Sequence, residues 1–158
     1  MKFEHLVQIN VPLNPLNPLI DSLTADQVWR GLVRKAENPL LFVYALDEFR
    51  ILGRNADSID RELRFGRLTI RDRVTFAAPE HITQVIEASA EVPASTLATS
   101  IEAPDTEQLY VRFRYETGSI AGGAPVDETT AAFLKQAYVE ADNDVIRTIR
   151  RLAAEGKL

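Results

Sequence analysis

The sequence predicts an α+β fold in which a curved antiparallel sheet of about seven strands wraps around one long C-terminal helix. Two short helices are expected between the first and second strands. Three observations carry the prediction. The elements run strand, helix, many strands, helix: period-two patterning dominates from Phe49 to Thr117, and helical spacing runs from 127 to 155. A terminal helix of about 29 residues spans roughly 43 Å, so its apolar stripe is buried only by lying across the sheet. The third is a hairpin whose register is readable residue by residue.

The first strand, 2–11, alternates Phe3, His5, Val7 and Ile9 with Glu4, Leu6, Gln8 and Asn10. Three prolines in VPLNPLNPL (11–19) then end any ladder, because proline has no N–H to donate. A helical region over 24–45 follows. Thr24 with Gln27 forms a capping box, and Val28, Trp29, Leu32, Val33 and Ala36 make the buried stripe of a helix over 25–37. Asn38-Pro39 ends it, since the residue before proline is driven from helical angles. The short apolar stretch 39–46 reads as a second helical turn beneath the sheet.

In ELRFGRLTI, a two-residue turn at Gly66-Arg67 puts glycine at the positive-φ position of a type II′ turn. The opposite pairs are then Phe65–Leu68, Leu63–Ile70 and Ile59–Val74 on one face, with Glu62–Arg71 and Asp60–Arg73 on the other. A slip of one residue would mix the faces. Further strands are expected at 81–88, 95–103 and 108–117. The last turns Leu109, Val111, Phe113 and Tyr115 inward and Tyr110, Arg112 and Arg114 outward. After a loop over 118–125, Asp127 caps a helix in which Leu134, Tyr138, Ala141, Val145, Ile149 and Leu152 face the sheet.

At 158 residues the chain fits one domain over 1–158, with an ordinary 46% hydrophobic and 26% charged content. A net charge of −5 argues against nucleic acid or an anionic membrane as the main partner. The absence of cysteine excludes disulfides, thiol catalysis and thiolate metal sites. No apolar stretch reaches membrane-span length and the N-terminus has no signal-peptide block, so membrane insertion is not expected and a cytoplasmic location is. Two separated histidines make a poor metal site, so neither metal nor cofactor is expected. His5 reads as a hydrogen-bonded core histidine. Asp142 and Asp144 read as a solvated helix flank, because VEADND lacks the glycine and distal glutamate of a calcium loop.

The hairpin register also sets Arg61 opposite Asp72 in the middle of the apolar face. That pair is either a closed ion pair or a polar patch in a hollow, and it is the leading candidate site. The expected pocket lies between sheet and terminal helix, measures several hundred Å3, and is lined by Leu63, Ile70, Val111, Phe113, Tyr115, Tyr138 and Ala141 with Arg61 and Asp72 as its charged features. Ala137 and Ala141 are the small inward residues expected to leave the space.

Taken together, KFEHLVQIN, the WRGL helix, RELRFG with RDRVTF, and YVEADNDVIRTIR resemble the AtaL-like family of bacteria and fungi. The wider resemblance is to the START/Bet v 1-like (SRPBCC, helix-grip) superfamily of birch-pollen-type allergens, lipid-transfer domains and bacterial aromatase/cyclases. It implies the helix-grip fold and an internal cavity. The allergens carry a glycine-rich loop between strands two and three; here 53–58 has one glycine, so phosphate-like recognition does not carry over. The family supplies no agreed catalytic residues. The primary expectation is a carrier or sensor holding a small hydrophobic or aromatic metabolite or lipid. Two alternatives stand beside it. One is a cyclase- or dehydratase-like enzyme in which Arg61 stabilises a carbonyl oxygen while Asp72 handles the proton. The other is a filled-core interaction module that forms a homodimer through its outer sheet face.

Overall fold

The computed structural model describes residues 1–10, 22–120, 123 and 126–158, with backbone alone at Ser119 and Ile120. The connector 11–19 and residues 121, 122, 124 and 125 of the expected loop therefore fall outside the described residues, while 118–120 belong to the last strand. The elements are β1 (Lys2–Asn10), α1 (Ala25–Glu37), a 3-10 turn (Pro39–Leu41), β2 (Glu48–Arg54), β3 (Ser58–Phe65), β4 (Leu68–Ala77), β5 (His81–Ile86), β6 (Pro93–Glu102), β7 (Leu109–Ile120) and α2 (Glu128–Ala154). All seven strands form one antiparallel sheet in the order β1-β7-β6-β5-β4-β3-β2. The fold is the curved sheet and long terminal helix that the element order predicts.

The β3–β4 hairpin pairs Phe65 with Leu68, Leu63 with Ile70, Arg61 with Asp72 and Ile59 with Val74, in the expected register. Gly66 has φ +61°, and among the described residues no other residue type has positive φ, so Arg67 is negative as a type II′ turn requires. The Gly66 N–H donates to Asp47 Oδ2 at 2.6 Å, which ties the turn to the start of β2. On the outer face Arg71 meets Glu62 at 3.0 Å and Arg73 meets Asp60 at 2.7 Å. Arg112 and Arg114 of β7 are likewise paired with Glu4, and Arg112 also with Glu102, so the outward cations are matched by carboxylates. These pairs are exposed enough to contribute little to stability.

Both helices lie on the concave face. Thr24 and Gln27 form the capping box of α1, and Asp127 caps α2 by accepting from the Thr130 N–H. The Asn10 side chain holds Leu23 by two hydrogen bonds of 2.9 Å, fixing the approach to α1. The core joins Val28, Leu32 and Ala36 of α1 to Val145, Ile146, Ile149 and Leu152 of α2, and both to Val74, Ile82, Ile101, Val111 and Phe113 of the sheet. The helices touch where Gly31 meets Ile149: a Cβ at Gly31 would stand 2.6 Å from Ile149 Cγ1 and 2.9 Å from its Cδ1 and Cγ2.

One expectation about α2 is corrected. Ala137 and Ala141 are exposed, and the inward position beside Val145 is taken by Asp142, only 2% exposed. From Tyr138 the next inward position is reached at either three or four residues; apolarity favours Ala141, whereas the packed helix uses Asp142.

Gly31→Ala should destabilise the protein even though alanine favours a helix by about 1 kcal/mol, because Ile149 is fully enclosed and overpacking costs about 1–3 kcal/mol. Urea denaturation of G31A, I149V and the double variant checks this: I149V removes one of the clashing methyls and should recover part of the loss.

Candidate functional site

The concave face carries two polar groups in an otherwise apolar interior. The first is the Arg61–Asp72 pair. Arg61 Nε and Nη2 donate to Asp72 Oδ1 and Oδ2 at 2.9 and 2.6 Å, and Gln84 Nε2 adds a third bond to Oδ2 at 2.7 Å. The remaining arm, Nη1, donates to the Ala36 carbonyl at 2.9 Å. Ala36 lies in the last turn of α1, where carbonyls lack intrahelical partners, so the guanidinium closes the helix C-terminus and meets the negative end of its dipole. Arg61 and Asp72 are 4% and 6% exposed. The pair is a closed, fully satisfied ion pair.

The second group is centred on Asp142. His5 Nδ1 shares a hydrogen bond with Asp142 Oδ2 at 3.1 Å, and the Tyr115 hydroxyl donates a short bond to Oδ1. Tyr138 stacks flat on Tyr115, with ring centroids 3.9 Å apart, and its hydroxyl bonds Thr117 Oγ1 at 3.1 Å. His5 lies between the rings of Phe3 and Phe113. Burial pushes the Asp142 carboxyl above its usual range, opposed by the Tyr115 and His5 hydrogen bonds. Burial and then the Asp142 charge hold the Tyr115 phenol protonated far above its ordinary range. His5 is hydrogen-bonded as its place on the strand suggests, whereas Asp142 is no solvated flank.

Between the two groups stands Lys35, on the inner side of α1. It is within electrostatic reach of Asp72 and Asp142, but among the described residues it makes no hydrogen bond or ion pair. The acids are already occupied by Arg61, Gln84, His5 and Tyr115. Burial first, and the Arg61 charge second, hold the Lys35 amine below its ordinary pKa.

Lys35 and Arg61 both border a cavity of about 120 Å3. Its roof is Leu32, Lys35 and Ala36 of α1 with Pro39, Val43 and Leu46 beyond; its floor is Arg61, Leu63 and Phe65 of β3, Val74, Ile82, Gln84, Leu97 and Thr99. This corrects the expected pocket in place and size. The cavity lies under α1 and the 3-10 turn, because α2 packs on β1 and α1 and leaves β3–β6 to them. Of the residues expected to line it, Arg61 and Leu63 do. Val111 and Phe113 are packed in the core at 0% and 1% exposure, Ile70 is half-buried away from the cavity, and Ala141 is exposed. The Tyr115 and Tyr138 hydroxyls are taken by Asp142 and Thr117, and Asp72 stands behind Arg61. A wider open groove of about 930 Å3 passes Asn10, Leu23 and Leu109, but its charged residues, Asp105 and Glu107, are exposed and it adjoins the undescribed connector. Among the described residues no cluster of His, Asp and Glu could hold a metal ion, and no helix is long and apolar enough to cross a membrane.

Lys35 was not foreseen. The signal was its position, three residues after Leu32 and seven after Val28, on the apolar stripe of α1.

The sequence profile described as "AtaL: Acetylaranotin biosynthesis cluster protein L" matches residues 7–156. The chain belongs to the AtaL family. Among curated proteins none matches it. Solved structures share its fold at low identity. The Zhui aromatase/cyclase from Streptomyces sp. R1128 has 19% identity and a TM-score of 0.64, over 97% of this chain and 95% of that one. The di-domain aromatase/cyclase StfQ from the steffimycin biosynthetic pathway has 12% identity and a TM-score of 0.69, over 98% of this chain and 51% of that one. Ara h 8.0201 has 12% identity and a TM-score of 0.61, over 94% and 97%. The chain thus shares the helix-grip fold with these proteins.

Two outcomes follow from the buried charges. Asp72→Ala should cost about 3–5 kcal/mol in urea denaturation, because it strands the guanidinium, whereas the double variant R61L/D72L should cost much less. Lys35→Met should stabilise the protein near pH 7. The folded-state pKa of Lys35 lies below the unfolded value of about 10.4, so the wild-type penalty is full below the folded pKa and fades as pH rises through that window. The advantage of K35M should therefore shrink as denaturation is repeated towards about pH 10.

Proposed function

We propose that this AtaL-family protein is a carrier or sensor for a small apolar or aromatic metabolite bearing a carbonyl or acidic oxygen, held in the cavity beneath α1. The observation that carries this reading is the Lys35 amine, which borders an apolar cavity without a protein partner. Lys35 is half-buried, its amine has no hydrogen-bond acceptor among the described residues, and an apolar side chain at position 35 would avoid the cost of partly desolvating a charge. A ligand oxygen supplies the missing partner. The guanidinium of Arg61 adds a second positive charge on the cavity wall, and Gln84 and Thr99 offer neutral polar contacts.

The volume limits the ligand. A cavity of about 150 Å3 accepts a benzene ring, so the smaller space of about 120 Å3 limits the ligand to at most a single small ring or a short chain. It does not suit a long-chain lipid or a polycyclic molecule in this conformation. Similarity in fold to aromatase/cyclases supports an enzymatic second reading, and one observation favours it. The Lys35 amine, held below its ordinary pKa on the wall of the cavity, is placed to accept a proton from a bound carbonyl compound.

Thermal denaturation with benzoate, phenol, hexanoate and benzene tests the binding. A ligand at 100 times its dissociation constant stabilises the native state by about 2.7 kcal/mol. Benzoate and hexanoate should raise Tm more than benzene in the wild type, and K35M should lose most of that preference. If none of the four shifts Tm, the cavity is not a ligand site.

A further inference from the structure

We infer that Lys35 is a carbonyl-capturing nucleophile, forming a reversible imine with an aldehyde or ketone admitted to the cavity beneath α1. The inference deepens the proposed binding function and rests on that cavity being the ligand site. Four features lead to it. Lys35 is the one lysine of four that faces the interior; Lys2, Lys135 and Lys157 are exposed. Its amine is left without a carboxylate partner because Arg61 and Gln84 occupy Asp72 while His5 and Tyr115 occupy Asp142. Arg61 is fixed to the carbonyl of Ala36, the residue next to Lys35, so a permanent positive charge is built in close to the amine. Leucine, phenylalanine and isoleucine side chains form much of the remaining wall.

An apolar surrounding and a neighbouring cation are the two means by which a lysine is made nucleophilic at neutral pH, since both disfavour the ammonium form. Lys35 has both, and its amine is accordingly held below the ordinary lysine range. Each unit of that lowering gives about tenfold more neutral amine at a pH well below the pKa. A role as a purely electrostatic anion anchor would be served as well by arginine, which this chain uses fourteen times against four lysines. Arginine cannot lose its proton to attack a carbonyl; lysine can.

The step balances without an oxidant or reductant. The Nζ lone pair forms the bond to the carbonyl carbon, the carbonyl oxygen takes up a proton and the nitrogen gives one up, leaving a carbinolamine. The C–O bond then breaks, oxygen departs as water, and nitrogen and carbon share the imine double bond. Amine plus carbonyl give imine plus water. Hydrolysis reverses the sequence and releases the compound unchanged.

The test is reductive trapping with benzaldehyde, whose single ring suits the cavity. Wild type, K35R and K35M are incubated with benzaldehyde and cyanoborohydride at neutral pH, then read by intact mass and peptide mapping. Benzyl alcohol, which cannot form an imine, is run in parallel as a thermal-shift ligand. The expected result is the gain of one benzyl group on the peptide containing Lys35, at least about tenfold faster than on the exposed lysines. That labelling should be absent in K35R and K35M, both confirmed folded by circular dichroism. Mapping separates Lys35 from the Met1 amine, which donates to the Thr117 carbonyl at 2.6 Å. Labelling confined to Met1 or the exposed lysines, with benzyl alcohol still raising Tm, would overturn the imine inference and leave the binding function standing. No labelling of Lys35 and no shift with benzyl alcohol would overturn both.

Discussion

The interior is organised by the bond between the Arg61 guanidinium and the Ala36 carbonyl. Arg61 is locked to the sheet by two bonds to Asp72 on the neighbouring strand, so its third bond fastens the last turn of α1 to the β3–β4 hairpin. Much follows from this one contact. It holds α1 as a roof over the concave face, and it closes a helix terminus that would otherwise bury an unsatisfied carbonyl. It also decides the partners of the neighbouring charges. Asp72 is consumed by Arg61 and Gln84, which leaves Lys35 beside a fixed cation and facing the cavity. A buried ion pair is a weak contributor to stability when compared with apolar residues of the same shape. Here its effect is positional, since it fixes which polar group is left without a partner among the described residues.

The second polar group secures the other side of the interior. His5, Tyr115 and Asp142 lock β1, β7 and α2 together by side-chain hydrogen bonds, and the stack of Tyr138 on Tyr115 extends that lock to the first half of α2. With the long helix secured there, the space left by sheet curvature lies on the other side, beneath α1 and the 3-10 turn. Lys35 joins the two sides electrostatically: the Asp72 and Asp142 charges both favour its ammonium form, against the larger effects of burial and Arg61. Ligand binding at Lys35 would thus be felt at Asp142 through charge alone, without a moving part.

The fold was legible because the element order, the length of the terminal helix and the hairpin register agreed. The β3–β4 register was readable to the residue, since both faces of the hairpin carry matched pairs and a slip breaks both. The caps at Thr24 and Asp127 were equally plain. The site was less legible, for one physical reason. A charged residue on a helix is assigned to water unless something shows otherwise, and Lys35 and Asp142 are each charged residues on the apolar face of a helix. Their spacing from Leu32, Tyr138 and Val145 held the information, but their chemistry argued against it. On strands the alternation is strict enough to force Arg61 and Asp72 inward; on helices a choice between three and four residues let Ala141 stand in for Asp142. The position of the cavity was not in the sequence pattern, because it depends on which helix covers which part of the sheet.

The Lys35 amine faces the cavity beneath α1 without a hydrogen bond or ion pair to the described residues, and it is held below its ordinary pKa. NMR titration of protein labelled at the lysine side chains measures this directly, since only four lysine signals are present and K35R assigns the one in question. Lys35 should titrate clearly below the ordinary lysine value of about 10.4. Four indistinguishable titrations near the ordinary value would contradict it, by placing the Lys35 amine in water or in an ion pair.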